Sequence, residues 1–332
     1  MSDLEKYVDK AMYPAAKMQD NQPKAYLLWM TPDPLGAIAA ACRMYKGIPT
    51  YSLADITDEE RRDYWAQVQK TELQAPLEFV KLHVFWEGVD RAQTHQAVRQ
   101  RTAVYAQESL RFAVKEDLKD ACSRPPSLAD PSRSHSIRND LNDTWDQALE
   151  AVQGAYETLI ANGVPAEDAR GLLPHATLTR YNYCTDLRNL AAEAGRRLCI
   201  QAQFHWRQAW VSLREAVREH TAAYVGTLPD GRKDAMWSGW QFKLIADSQF
   251  FKPVCYQLGH CGFKAEFDRG CTIRTRVDAL ESRGVKANRW DDPKYVGKLV
   301  ISDQEWLNDP KAAWLQGDNP GTTPTGTSLG TP

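Results

Sequence analysis

THQAVRQRTAVYAQESLRF, from Thr94 to Phe112, is the stretch on which the reading of this chain turns. It places Arg99, Arg101 and Arg111 close together, among Gln96, Gln107 and Ser109. The planar guanidinium fork matches phosphate oxygens bidentately, and short polar side chains complete such a cradle, so the cluster points to a nucleotide or dinucleotide ligand. The alternative for an arginine-rich segment is a solvated helix face. The spacing favours the cradle. Gln96 and Arg99 stand at i and i+3 on one helical face. Ser109 and Arg111 stand at i and i+2, which share a face only on extended chain.

Around this stretch the chain is ordinary in bulk. Its 332 residues and 43% hydrophobic content suffice for a large core. A formal charge of −2 provides no whole-protein attraction to nucleic acid or to an anionic membrane. No apolar run reaches the ~20 residues that span a bilayer, and the first residues, MSDLEKYVDK, lack a signal pattern. Seven scattered cysteines fit a reducing compartment, and the expected location is the cytoplasm. Cys184 and Cys199 sit in apolar surroundings and read as structural thiols. Cys255, His260, Cys261 and Cys271 lack the paired C-x2-C spacing of a zinc site, so they read as thiols and no metal is expected.

Local patterns set the expected elements. Pro32 and Pro34 precede LGAIAAACRMY, which reads as a helix with a proline-set start. Thr57 to Glu60 fits a capping box opening a helix through Gln69. FVKLHVFWEGV, Phe79 to Val89, reads as a strand. A helix over Asp90–Ala103 and extended chain over VYAQESLRF should follow. Residues 121–140, dense in Pro, Ser and Arg, read as a mobile loop that could cover a site. An amphipathic helix is expected from Trp145 to Asn162, stopped by Gly163 and Pro165, and one long helix from Asp186 to Tyr224. The expected organisation is a polar leader over 1–24, a main domain over 25–225, a C-terminal elaboration over 226–316 and a disordered tail over 317–332.

The same residues carry a family resemblance. Arg99-Gln100-Arg101, seven residues, then Ser109 resembles the Arg-His-Arg-x7-Ser signature of flavin-dependent thymidylate synthases. EGVDRAQTHQAV (Glu87 to Val98) resembles the lead-in to that motif. TPDPLGAIAAACRMY (Thr31 to Tyr45) resembles the family's first helix, and APLE (Ala75 to Glu78) its flavin-proximal turn. ARGLLP (Ala169 to Pro174), LRNL and RRLCIQAQ (Leu187 to Gln203) resemble its second half.

The resemblance implies an α+β subunit with a mixed helix and sheet core, long helices and a C-terminal extension. It implies a homotetramer with active sites at subunit interfaces, FAD as cofactor, NADPH and methylenetetrahydrofolate as co-substrates, and reductive methylation at uracil C5 of UMP or dUMP. By the same resemblance the nucleotide is held by Gln96, Arg99, Gln107, Ser109, Leu110, Arg111, Arg170 and Arg197. Of these, Arg197 is the catalytic residue beside the ring, with Arg196 as the register alternative. The flavin is met by Ala75, Glu78, Arg99, Gln100, Arg101, Thr102, Asp186, Arg188 and Ala192. Arg188 and Arg197, nine positions apart, point to opposite sides of a straight helix, which suits sites shared between subunits.

The chain departs from the family at Gln100 and Gln201, where histidines are usual, at Asp186 and Ala192, where asparagines are usual, and at Gln107, where a glutamate is usual. An amide donates as well as accepts, whereas a carboxylate only accepts. Gln107 could therefore serve a ribose 2′-OH. The pattern resembles a branch that methylates UMP as well as dUMP, as in polyoxin-type nucleoside antibiotic biosynthesis. The alternatives are an ordinary dUMP-specific enzyme and a non-catalytic flavin- or nucleotide-binding protein. Retention of Arg99, Arg101, Arg111, Arg170, Arg188 and Arg197 favours an enzyme.

Overall fold

Alternating apolar residues build the sheet at the centre of the fold. The computed structural model describes residues 22–129, 133–199, 202–220 and 239–258, and the backbone of 13–14, 223–227 and 233–237. Strands β1 (Lys24–Met30), β2 (Lys81–Asp90), β3 (Val104–Gln107) and β4 (Leu178–Asp186) form one antiparallel sheet in the order β1-β2-β4-β3. Leu82, Val84 and Trp86 point to one buried face of β2, the period of a half-buried strand. Register pairs Val84 with Tyr183 and Trp86 with Tyr181. It then shifts before Val89 and resumes with Asp90 opposite Leu178. Gly88, at φ +68°, supplies the left-handed conformation this bulge requires.

Seven helices are needed to place the site: α1 (Pro34–Tyr45), α2 (Asp58–Val68), α3 (Arg91–Ala97), α4 (His135–Ala161), α5 (Leu187–Arg197), α6 (Phe204–Glu219) and α7 (Gly239–Asp247). On α6, Trp206, Ala209, Trp210, Leu213 and Val217 recur at helical spacing and are buried against the sheet. The ring of Trp86 stacks on Tyr181 at 6.1 Å and meets Trp206 edge-on at 6.5 Å. Helix α1 starts at Pro34 with Asp33 as its cap, and α2 starts on the Thr57–Glu60 capping box, both as the local sequence predicts. Phe242, Ile245, Phe250 and Phe251 join the same core, with Phe250 edge-on to Trp65 at 5.4 Å.

A buried polar cluster ties these helices together. Arg61 and Asp33 are 3% and 5% exposed and form a two-pronged pair, Nε to Oδ1 at 3.0 Å and Nη2 to Oδ2 at 2.7 Å. Gln241 of α7 donates to the same Asp33 carboxylate at 2.8 Å and accepts from the Leu35 amide at 2.8 Å.

Several expectations are corrected. The span from Asp186 to Tyr224 holds two helices, α5 and α6, because each packs on different partners. Helix α5 lies against residues 75–79 and 249–258, whereas α6 lies against β1 and α7. Within 121–140, a 3-10 turn occupies Pro126–Ala129 and α4 already begins at His135 on the Ser134 cap, so residues 133–140 are not a mobile loop. Helix α3 stops at Ala97, which leaves the Arg99-Gln100-Arg101 triplet in the turn to β3. Extended chain ends at Gln107. Ser109 to Phe112 is a turn, closed by the amides of Phe112 and Ala113, which donate to the Ser109 carbonyl. Residues 1–12 and 15–21 of the leader, the tail, Gln201, His260, Cys261 and Cys271 lie outside the described residues, and Lys24, expected in the leader, opens β1. No helix of the described residues is long and apolar enough to cross a membrane, and among them no three His, Cys, Asp or Glu side chains group to hold a metal.

Candidate active site

The sheet register brings distant parts of the sequence to one end of β4. Asp90 ends β2 opposite Leu178, the first residue of β4, and Gln107 ends β3 opposite Tyr181 on the other side. The chain leaves β2 directly into α3, which carries Gln96. It leaves β3 into the turn carrying Ser109, Leu110 and Arg111. It enters β4 from the 3-10 turn that starts at Arg170.

Arg197 is the best anchored of the predicted residues. Its Nε donates to Glu193 Oε1 at 2.7 Å, Nη1 to Gln96 Oε1 at 3.0 Å and Nη2 to the Gln96 carbonyl at 3.3 Å. Its guanidinium lies 5.0 Å from the Trp206 ring centroid. The side chain is 19% exposed, against 59% for Arg196, so the last turn of α5 turns Arg197 and not Arg196 toward Gln96. Glu193 is 4% exposed and also accepts from Arg196. Gln96 reaches on to Gln203 at 3.2 Å. Close by, burial and the Glu193 charge push the Tyr105 phenol up to about 12, partly offset by Arg197. Tyr105 therefore stays protonated at neutral pH, donating to the Ala97 carbonyl at 2.7 Å.

The predicted phosphate holders lie beyond it. Arg111 forms a fork with Glu167, Nε to Oε2 at 2.8 Å and Nη2 to Oε2 at 2.6 Å, with both side chains about half exposed. Arg170 donates Nε to the Glu167 carbonyl at 3.0 Å, so Glu167 touches both arginines. Ser109 Oγ accepts from the Arg111 amide at 3.3 Å, and Leu110 is buried. Gln107 Nε2 donates to Thr94 Oγ1 at 3.1 Å, and its Oε1 has no partner among the described residues. The donor expected to await a hydroxyl is thus engaged, and the carbonyl is the group left to accept.

The predicted flavin residues divide in two. Arg99, Arg101 and Thr102 are exposed, and neither arginine has an ion pair among the described residues, which leaves their forks available to an anion. Arg188 pairs with Glu78, and Ala192 is exposed one turn further along α5; Ala75 opens the 3-10 turn that carries Glu78. Asp186 caps α5 and is held by the Asn189 amide at 2.9 Å, Asn189 Nδ2 at 2.8 Å and Lys81 at 3.3 Å, so its charge is already matched. Arg188 and Arg197 do face different surroundings, as their spacing implies. Gln100 accepts from the Tyr183 hydroxyl at 3.0 Å and donates to the Asn189 carbonyl at 3.4 Å, joining β4 to α5. Burial raises the Tyr183 phenol, which needs this acceptor.

Gln100→Leu takes from that buried hydroxyl its acceptor, leaving it Thr185, and is expected to cost about 1 kcal/mol in urea unfolding. Gln100→His, with one nitrogen to accept and one to donate, should retain most of it. A Gln100→Leu protein as stable as the parent would remove this role.

Glu193, Gln203, Tyr105, Glu167 and Arg91 were not singled out from sequence. Glu193 was the most accessible, since Glu at i and Arg at i+4 is a favoured helical pair. The other contacts join segments far apart in the chain.

A family profile described as Thymidylate synthase complementing protein matches residues 26–221. A flavin-dependent thymidylate synthase of Geobacter sulfurreducens is 31% identical over 199 residues, 59% of this chain and 82% of that protein. One from Pyrococcus horikoshii is 29% identical over 258 residues, 76% of this chain and 95% of that protein. Among solved structures, a UMP/dUMP methylase, PolB, from Streptomyces cacaoi, bound with 5-Br dUMP, is similar with a TM-score of 0.47 and 16% identity. That likeness covers 59% of this chain and 89% of that one.

Proposed function

The chain belongs to the thymidylate synthase complementing protein family, and on that premise we propose that it methylates uracil C5 of UMP and dUMP, using a flavin, methylenetetrahydrofolate and NADPH. The observation that carries the reading is the pose of Arg197. Three fixed hydrogen bonds and the face of Trp206 hold its guanidinium in a largely enclosed position against Gln96 of α3. Uracil C5 becomes nucleophilic as negative charge builds on the ring carbonyls. A preoriented cation stabilises that charge without reorganising. Ser109, Arg111 and Arg170 hold the phosphate, with the nucleotide taking over the Arg111 fork from Glu167, and Gln96 keeps Arg197 in register. Tyr105 remains a neutral donor throughout.

The exposed forks of Arg99 and Arg101 fit the anionic parts of FAD, which when bound would supply the electrons and the one-carbon relay. Asp186 and Ala192 offer it less than asparagines would, one being engaged and the other apolar. The free Gln107 carbonyl would accept from a ribose 2′-OH, as a glutamate would, so the site accommodates the ribonucleotide without selecting it. Engagement of its amide by Thr94 supports the second reading, a dUMP-specific enzyme. We also propose that the active unit is a homotetramer whose subunits share sites, consistent with the separate surroundings of Arg188 and Arg197.

An anaerobic assay with FAD, NADPH and methylenetetrahydrofolate, with UMP and dUMP offered separately and nucleotide mass as readout, tests this. A one-methyl gain on both is expected. A gain on dUMP alone would remove the ribonucleotide reading. No gain on either, with flavin bound, would favour a non-catalytic binding protein.

A further inference from the structure

Arg91 stands at the same end of β4 as the proposed phosphate holders and has no assigned role. It is the first residue of α3, immediately after the Gly88 bulge has brought Asp90 opposite Leu178. Its amide donates to the Thr177 carbonyl at 3.0 Å, and the next amide donates to the His175 carbonyl at 3.1 Å. Residue 91 is therefore fastened to the segment that runs from Arg170 into β4. On the other flank, the Glu108 amide donates to the Arg180 carbonyl at 3.0 Å, which fixes Ser109 beside the same strand start. Arg91, Arg170 and the turn carrying Ser109 and Arg111 thus reach this strand start from three separate stretches of sequence.

The charge balance there is uneven. Glu108 is the nearby carboxylate, but Lys115, 3% exposed, holds its Oε2 at 3.1 Å and Thr179 donates to the same atom at 3.3 Å. Glu167 is committed to Arg111. Among the described residues the guanidinium of Arg91 makes no ion pair or hydrogen bond. Partial burial and the neighbouring charge of Arg170 hold its pKa below the usual arginine value. Two partly buried guanidinium groups that repel each other are relieved most directly by an anion bound between them.

We propose that Arg91 is an additional phosphate-binding residue of this chain, acting with Arg170 on the dianionic monophosphate of the nucleotide. The inference rests on the nucleotide reading above, and it assigns Arg91 an affinity role, without contact to the reacting ring.

The test uses the full chain and the Arg91→Met variant, which keeps the apolar stem and removes the charge. Affinities for UMP and dUMP are measured by calorimetry and should fall about 10- to 100-fold in the variant. Affinity for uridine, which lacks the phosphate, should not change, and Arg91→Lys should recover part of the loss. Nucleotide affinities equal to those of the parent, or equal losses for uridine, would overturn the proposal. A second arm separates it from the functional reading. Inorganic phosphate, compared with chloride at matched ionic strength, should raise the melting temperature of the parent and not of Arg91→Met. If the parent binds neither nucleotide, the functional reading fails. This arm still decides whether the Arg91 and Arg170 pair takes phosphate, and an equal phosphate response in both proteins, or none in the parent, overturns the role of Arg91. Without added anion, Arg91→Met should melt no lower than the parent, because the substitution removes a repulsion and no bond.

Discussion

Arg197→Ala is expected to retain flavin and lose methylation, with kcat falling by at least about 100-fold, the usual effect of deleting a preoriented donor at developing negative charge. The structure indicates how to measure this cleanly. Glu193 is 4% exposed and accepts from both Arg196 and Arg197. Removing Arg197 leaves a buried carboxylate with only the long contact from a largely exposed Arg196, and a buried charge that has lost its partner destabilises the fold. The informative comparison is therefore Arg197→Ala beside Arg197→Ala/Glu193→Gln, in which an amide replaces the stranded charge. Both should be inactive, and the double variant should be the more stable. Arg197→Lys keeps the charge but loses the fork, so it cannot hold Glu193 and both acceptors of Gln96 together, and its activity should fall between. Flavin absorbance checks cofactor retention, and nucleotide mass reads the chemistry. Methylation at the parent rate in Arg197→Ala would sink the catalytic assignment.

The largest loss of stability should follow Asp33→Ala. Its carboxylate neutralises Arg61 through two hydrogen bonds and also accepts from the Gly36 amide and from Gln241. Truncation leaves a guanidinium that is 3% exposed without its buried partner and with only the long contact to the exposed Asp58 at 3.5 Å, a change that costs about 3–5 kcal/mol. The α1 cap is lost with it, at about 1 kcal/mol. The urea midpoint should drop accordingly, and the expression level with it. Adding Arg61→Met should restore part of the loss, because an apolar pair tolerates burial better than a lone charge. Recovery should be incomplete, because Arg61 also donates to the carbonyls of Ile56 and Leu53. Asp33→Ala within about 1 kcal/mol of the parent would show that the pair contributes little beyond what water provides to each charge separately.

The two arginines, Arg61 and Arg197, mark the boundary between what local sequence conveys and what it does not. Helix starts at Pro34 and Thr57, and the strand through Leu82, Val84 and Trp86, were legible, because caps and alternation are properties of neighbouring residues. The break between α5 and α6 was not. The apolar phase runs on through Leu190, Ala194, Leu198, Trp206 and Trp210, and only the different packing partners of the two halves require the bend. The start of α4 at His135 was hidden for a related reason, since a polar segment helical by virtue of its neighbours carries no apolar stripe of its own.

The sequence by itself determined the composition of the candidate site: the arginines, Ser109, and the amides at 96, 100 and 107 that depart from or keep to the family pattern. Tertiary structure decided which of these groups is free to act. It turned Arg197 and not Arg196 toward Gln96, set Glu167 on the Arg111 fork, and joined the Gln107 amide to Thr94. It also carried Arg91 to the strand end where Arg170 arrives. A side chain's chemistry is fixed by its own atoms, but its charge balance depends on what the fold brings within a few ångströms. Here those neighbours come from helices and turns that the paired strands bring together.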